Sequence, residues 1–136
     1  MNLGDFQEIE PIYNLEFVDF WKPQNFKSEL QNVSSKYIVA KENGEIVGFA
    51  GIWYSVDDAH ITNIVVRKSY RNKGIGSLLL EKLIELAKTK TSLTLEVNTK
   101  NEIAQKLYLK YGFKNLGIRK KYYDGIEDAY IMTLYF

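Results

Sequence analysis

Two glycines lie between basic residues and a strongly amphipathic helical pattern. Residues 71–87 read RNKGIGSLLLEKLIELA, with Gly74 and Gly76 directly after Arg71 and Lys73 and with apolar residues at three- and four-residue steps. The first N–H groups of a helix have no intrahelical acceptor and carry partial positive charge, and glycine lets the backbone approach an anion closely. The segment therefore favours a phosphate site. The alternative is a plain loop before a helix.

The wider spacing excludes one common phosphate-binding motif and disfavours a second. A P-loop needs a lysine directly after its second glycine, whereas Ser77 follows Gly76. A dinucleotide-binding fingerprint would use Glu96 as its ribose-binding acid, but it needs a third glycine where this chain has Leu79. That fingerprint also turns almost directly from strand to helix, while seven residues separate Val66 from Gly74.

Composition narrows the class of protein. With 136 residues the chain is predicted to form one domain, residues 1–136, and a net charge of +1 favours neither a nucleic-acid surface nor a polybasic membrane patch. No apolar run approaches the roughly 20 residues of a membrane span, and the N-terminus lacks a signal-peptide core. The chain has no cysteine and one histidine, His60, so neither a metal site nor a cysteine nucleophile is expected, and a cytoplasmic location is predicted.

Periodicity and turn signals give the order α α β β β α β α β β. The predicted helices are residues 6–20, 25–31 and 101–110 and the long helix that the glycine turn opens within residues 71–87. The predicted strands are residues 37–41, 45–54, 59–66, 92–97, 113–120 and 129–135. Hairpins flank a central β-α-β-α unit, which is typical of an α+β domain with a mixed sheet.

Three segments, in this order, carry a resemblance to a known family. They are NIVVRKSYRNKGIGSLLLEKLIELA, LTLEVNTKNEIAQKLYLKYGF and RKKYYDGIEDAYIM. The first two resemble the cofactor segments of the GNAT superfamily of N-acetyltransferases, and the third resembles its RimI-type branch, which acetylates protein N-terminal α-amines. The resemblance implies the GNAT fold, a mixed but mostly antiparallel sheet with helices on both faces. Only four residues precede Asp5, so the first edge strand of that fold is expected to be short or missing.

The resemblance implies acetyl-CoA as cosubstrate and assigns residues to it. The loop from Asn72 to Ser77 would hold the pyrophosphate. The full set of expected cofactor-binding residues is Ile64, Val65, Val66, Arg71, Asn72, Lys73, Gly74, Ile75, Gly76, Ser77 and Asn101. For Asn101 a helix N-cap is a second role, compatible with the first.

The resemblance also assigns Glu96 as the base and Tyr108 as the acid. An α-amine costs only about 1 kcal/mol to deprotonate at pH 7, whereas a lysine costs about 4.6 kcal/mol, so a carboxylate acting through water manages the α-amine more readily. With no cysteine in the chain, direct transfer to the amine is simpler than an acyl-enzyme. The alternatives are an idle glutamate at a strand end for Glu96 and a core aromatic for Tyr108.

Four residues are expected on the acceptor side. They are Trp21, His60, Tyr122 and Tyr123. Relatives in the RimI-type branch imply a protein N-terminus as partner, with a small-subunit ribosomal protein as the first choice. His60 as a half-buried strand residue and the tyrosines as cross-strand packing partners are the alternatives.

Two other functions stay open at this point. One is acetylation of a small amine such as a polyamine or an aminoglycoside, and the other is a catalytically silent acyl-CoA-binding module. The presence of both Glu96 and Tyr108 favours an enzyme over the silent module.

Overall fold

A computed structural model describes residues 3–9, 32–123 and 127–136 of the chain. The helices are α1 (Leu3–Ile9), α2 (Ile75–Ala87) and α3 (Glu102–Lys110), with a short 3₁₀ turn at Lys68–Tyr70. The strands are β1 (Ser35–Glu42), β2 (Glu45–Tyr54), β3 (Asp58–Val66), β4 (Ser92–Asn98), β5 (Lys114–Tyr123) and β6 (Glu127–Tyr135).

The six strands form one mixed sheet in the order β1-β2-β3-β4-β6-β5. Every neighbouring pair is antiparallel except β3 and β4, which run parallel because α2 connects them. This architecture confirms the predicted α+β class and the GNAT fold.

The turn between β1 and β2 follows from its residues. Asn43 and Gly44 both take positive φ, 52° and 82°, which a two-residue hairpin turn with the right-handed twist of its strands requires. Strand β1 ends at Glu42 and β2 begins at Glu45, and these two residues pair across the turn.

Helix α2 supplies the apolar face against which the sheet packs. Leu79, Leu80, Leu83 and Ala87 are buried and follow the three- and four-residue steps that the sequence shows. They join one core cluster with Leu93, Leu95 and Val97 of β4 and with Phe113 and Met132. The alternate β4 residues Thr94, Glu96 and Asn98 therefore lie on the opposite face of the sheet.

Several boundaries differ from prediction. The closing strands β5 and β6 are longer than predicted, since antiparallel pairing continues past the apolar residues that signalled them. Helix α1 begins three residues before its predicted start, and the remainder of the predicted helix at 6–20 and the helix at 25–31 lie outside the described residues. In the described part of the chain, no helix has the length and apolarity to span a membrane.

Candidate active site

The parallel strands β3 and β4 pair only at their first residues. The ladder contains three pairs, from Asp58 opposite Ser92 to His60 opposite Thr94. Beyond that point residues 61–66 of β3 and 95–98 of β4, all of them described, do not pair with each other. Their other edges are occupied by β2 and β6, so two unpaired backbone edges face one another across an opening. Such edges can hydrogen-bond an extended ligand.

The glycine loop lies beyond the open end of β3. Gly74 is the N-cap of α2 and takes a left-handed conformation with φ of 80°, and no side chain caps the helix. The first N–H groups of α2 therefore have neither an intrahelical acceptor nor a side-chain cap. The Nε atom of Arg71 donates to the carbonyl of Val66 at 3.2 Å, and the Nζ atom of Lys73 lies 5.1 Å from the centre of the Tyr70 ring.

A second helix begins beyond the open end of β4. Asn101 caps α3, because its Oδ1 atom accepts a hydrogen bond from the N–H of Ala104 at 3.1 Å. This confirms the capping role and leaves the predicted contact with the cofactor a prediction. The Gln105 side chain anchors the loop by donating to the carbonyls of Asn98 and Thr99 at 3.1 and 2.9 Å.

These features fit a ligand with a pyrophosphate and an extended arm. The uncapped start of α2 suits the anion, and the open edge of β3 that leads to it suits an amide-containing chain. Both helices start at the carboxyl ends of adjacent parallel strands, the usual ligand-binding edge of such a unit. The predicted cofactor residues Ile64, Val65 and Val66 lie on that open edge.

Glu96 lies two residues beyond the last paired position of β4, on the face opposite α2. Its Oε1 atom lies 3.2 Å from the Nη1 atom of Arg119 on β5, and its Oε2 atom is buried. The Glu96 side chain is 24% exposed and the Arg119 side chain 55%. The structure thus shows a partly buried, charge-paired carboxylate beside the opening.

Tyr108 lies on the other side of the sheet. It packs against the core cluster, with its ring centre 5.8 Å from that of Phe113. Glu96 and Tyr108 are therefore on opposite faces of the sheet, on elements that meet at the end where β3 and β4 diverge.

The predicted acceptor residues are placed in part. His60 is half-buried at the closed end of the opening, with its ring 5.5 Å from that of Trp53. Strand β5 extends through Tyr122 and Tyr123, and their roles remain predictions. Trp21 lies outside the described residues. In the described part of the chain no three His, Cys, Asp or Glu side chains are grouped as metal ligands.

Two residues near the opening were not predicted. Arg119 reaches Glu96 only because β5 and β6 fold back beside β4, and no local pattern signals that strand order. Asn63 lies on the open part of β3, and the signal was available: Thr62 and Asn63 are a polar pair inside the otherwise apolar run ITNIVV.

Comparison with known proteins agrees with this geometry. Residues 6–113 match the profile of the acetyltransferase (GNAT) family. Over 136 residues the chain is 37% identical to the [ribosomal protein bS18]-alanine N-acetyltransferase of Haemophilus influenzae, covering 94% of this chain and 92% of that protein. The Escherichia coli K12 protein of the same name is 36% identical over 134 residues, covering 93% and 90%.

Solved structures give the same result. The crystal structure of the ribosomal-protein-S18-alanine N-acetyltransferase from Escherichia coli superposes with a TM-score of 0.88 at 32% identity, covering 99% of this chain and 90% of that one.

Proposed function

This chain belongs to the acetyltransferase (GNAT) family, and we propose that it transfers the acetyl group of acetyl-CoA to the N-terminal α-amine of a protein. The observation that carries the proposal is the opening between β3 and β4, with a helix start beyond each strand and Glu96 on its rim. This arrangement provides an anion site, an extended groove and a carboxylate at the end of the sheet where β3 and β4 diverge.

The proposed proton transfers assign one residue to each end of the reaction. Acetyl-CoA supplies an activated acyl group as a thioester. Glu96 accepts a proton from the attacking amine, directly or through a water molecule, and the hydroxyl of Tyr108 donates one to the departing thiolate. The placement of these residues on opposite faces supports this assignment, because the amine approaches the carbonyl carbon from one direction and the thiolate departs in another.

Arg119 supports the assignment of Glu96. A carboxylate that forms an ion pair with a guanidinium is held in one orientation, which fixes where its oxygens lie. The pair is also partly exposed, so it contributes little to folding stability. A positioned carboxylate of this kind is better explained by chemistry than by stability.

For the acceptor we propose the N-terminal alanine of ribosomal protein bS18. The support is that the relatives named for this reaction match almost the whole chain, including all three segments that carry the resemblance. Acetylation there forms one amide bond, breaks one thioester bond and releases coenzyme A as the thiol.

Mass spectrometry on two matched peptides tests the proposal. Both have the same alanine-first sequence with an internal lysine, and one has its α-amine blocked. With purified protein and acetyl-CoA, we expect one acetyl group on the free α-amine and none on the blocked peptide. Acetylation of lysine in both peptides would replace the proposal with a lysine acetyltransferase, and transfer to a polyamine alone would replace it with a small-amine enzyme.

One variant tests the proposed role of Tyr108 in the same assay. Tyr108→Phe removes the phenolic proton and keeps the ring that packs against Phe113. We expect turnover to fall about 10²-fold, at the low end for general acid–base catalysis, with acetyl-CoA binding retained. Undiminished turnover would remove Tyr108 from the mechanism and leave the choice of acceptor untouched.

A further inference from the structure

Strand β3 contains a bulge where it lines the opening. The register with β2 shifts so that Gly51 is opposite Asn63 and Ile52 is opposite Ile61, which leaves Thr62 as an extra residue. A bulge inserts one unpaired residue into a ladder and redirects the neighbouring side chains. Bulges of this kind are common beside functional sites.

The bulge places two consecutive side chains on the same face of the sheet. Ile61 and Ile64 both pack against the core cluster on the α2 side. The two residues between them, Thr62 and Asn63, are consequently directed to the opposite face. Glu96 lies on that face too, so Asn63 and Glu96 flank the opening from its two sides.

The two polar side chains of the bulge differ in their partners. The Thr62 hydroxyl hydrogen-bonds the hydroxyl of Tyr37 at 3.2 Å. The Nδ2 atom of Asn63 is buried and has no hydrogen-bond partner in the described part of the chain, although Asn63 as a whole is only partly buried. Native proteins rarely leave a buried donor unsatisfied, and such a group calls for a missing partner.

We infer that the missing partner is the carbonyl oxygen of the acceptor's first residue, and that Asn63 thereby selects α-amines. The inference rests on the proposed function. An N-terminal amine is attached to a carbon that also bears a carbonyl, so an α-amine beside Glu96 brings an acceptor oxygen to the same side of the opening. The ε-amine of lysine ends a chain of methylenes and brings none.

The side-chain amide of Asn63 can turn without any movement of β3. The Cβ–Cγ torsion of asparagine is broad and roughly two-fold, so rotation of the amide carries the donor toward the opening. A site built to hydrogen-bond a substrate group discriminates against analogues that lack the group, because its own donor is then left unpaired.

The experiment pairs a change in the protein with a change in the substrate. The protein variants are Asn63→Leu, which replaces the amide by an apolar side chain of similar size, and Asn63→Ala in case the larger group does not fit. Thr62→Val is the matched control, since it alters the same bulge at a hydroxyl that already has a partner. The substrates are an alanine-first peptide and the same peptide with its first peptide bond replaced by a trans alkene, which removes the carbonyl together with the adjoining N–H.

For the wild-type protein we expect kcat/KM to be at least about tenfold lower with the alkene peptide, since one hydrogen bond contributes up to about that factor. In Asn63→Leu and Asn63→Ala the ratio between the two substrates should shrink by about tenfold, mainly through a higher KM for the normal peptide. Thr62→Val should keep the wild-type difference. The melting temperature of Asn63→Leu should not fall, since no hydrogen bond within the protein is lost.

Three results would overturn the inference. The first is an unchanged preference for the normal peptide in both Asn63 variants. The second is an equal fall in kcat for both substrates with no change in KM, which would mean that the Asn63 amide contacts the thioester of acetyl-CoA. The third is a lowered melting temperature with an equal loss on both substrates, which would make Asn63 structural. A wild-type protein that acetylates neither peptide would instead refute the proposed function.

Discussion

At the scale of single residues, Glu96 and its partner Arg119 give the clearest argument for a role in catalysis. The carboxylate is partly buried on the rim of the opening, and the guanidinium 3.2 Å away fixes its orientation. Partly exposed ion pairs contribute little to the free energy of unfolding, so the consequence of losing this one should be kinetic.

Glu96→Gln tests that separation of stability from catalysis. The amide keeps the size of the side chain and removes its capacity to accept a proton. We expect kcat for an alanine-first peptide to fall between about 10² and 10⁴-fold, while the melting temperature and acetyl-CoA binding stay close to wild type. Steady-state kinetics and calorimetry measure these quantities.

Glu85→Gln is the control for that substitution, because Glu85 is an exposed carboxylate on α2 whose ion pair with Lys82 joins two solvent-facing side chains. It should leave kcat unchanged. If Glu96→Gln and Glu85→Gln behaved alike, Glu96 would be the idle strand-end glutamate that its position in the sequence also allows.

The residue scale also shows what the sequence could foresee. Glu96 and Tyr108 were identified by resemblance, and the structure places both on elements that meet at the opening. Arg119 was not foreseen, because it is 23 residues from Glu96 and reaches it across β6. The sequence does not identify Asn63 as a site residue, because a polar residue within an apolar strand run is an ordinary strand position unless the bulge is known.

At the scale of elements, local signals determined most of what was predicted correctly. The β1–β2 turn at Asn43 and Gly44 and the helix end at Gly112, where φ is 95°, follow from local backbone chemistry. The bulge at Thr62 and the divergence of β3 from β4 depend on pairing between distant segments. These are the features that shape the site, so the sequence predicted the elements better than the opening between them.

The two loop glycines should respond differently to alanine. Gly74 has a φ of 80°, so Gly74→Ala strains the backbone by about 1–2 kcal/mol even though the new Cβ meets nothing within 4 Å. Gly76 has no such φ, and its Cβ would make an ordinary contact with Val66 at 3.8 Å. Gly76→Ala should therefore stabilise α2 by about 0.5–1 kcal/mol.

For Gly76→Ala, acetyl-CoA binding and stability should change in opposite directions. If a pyrophosphate lies against the start of α2, the methyl group of Gly76→Ala should weaken acetyl-CoA binding while raising the melting temperature. Calorimetric titration and thermal unfolding of the same sample check both signs. A more stable variant with unchanged affinity would move the pyrophosphate away from this turn.

Tyr54 links the end of β2 to α2 and makes that contact sensitive to pH. Its hydroxyl donates to the carbonyl of Leu86 at 3.3 Å, and burial raises its pKa above the usual value. The folded state thus holds this proton more strongly than the unfolded state. The contribution of Tyr54 to the free energy of unfolding is therefore complete below about pH 10 and is lost as the pH rises through the pKa of the folded state.

Tyr54→Phe should show the corresponding change in slope. We expect a lower free energy of unfolding at pH 8, from the lost hydrogen bond, and a smaller decline between pH 9 and pH 11 than in wild type. Urea unfolding at several pH values measures both. Tyr111, whose pKa is raised first by its hydrogen bond to Glu81, contributes a decline of the same sign in both proteins. Parallel curves for wild type and Tyr54→Phe would contradict the assignment.

At the scale of the whole molecule, the sheet consists of two antiparallel parts joined by three residue pairs. Strands β1, β2 and β3 form one part and β4, β6 and β5 the other. Among the described residues, the strand pairs that join the two parts are those from Asp58–Ser92 to His60–Thr94. The core around α2 and α3 covers one face of this junction. A ligand lying in the opening would add hydrogen bonds along the edges where β3 and β4 do not pair with each other.

Hydrogen exchange should detect that completion of the sheet. Acetyl-CoA at about 100 times its dissociation constant adds about 2.7 kcal/mol to the free energy of unfolding, and this protects all amides that exchange by global unfolding. Amides of residues 61–66 and of the first turn of α2 should gain further protection, because they exchange by local opening in the free protein. The β1 edge, three strands away from β4, serves as the internal control. Equal gains in protection at β1 and at residues 61–66 would mean that the ligand binds elsewhere. Gains in protection concentrated at residues 61–66 would place the extended arm of acetyl-CoA on β3. The face with Asn63 and Glu96 would then stay open to the acceptor.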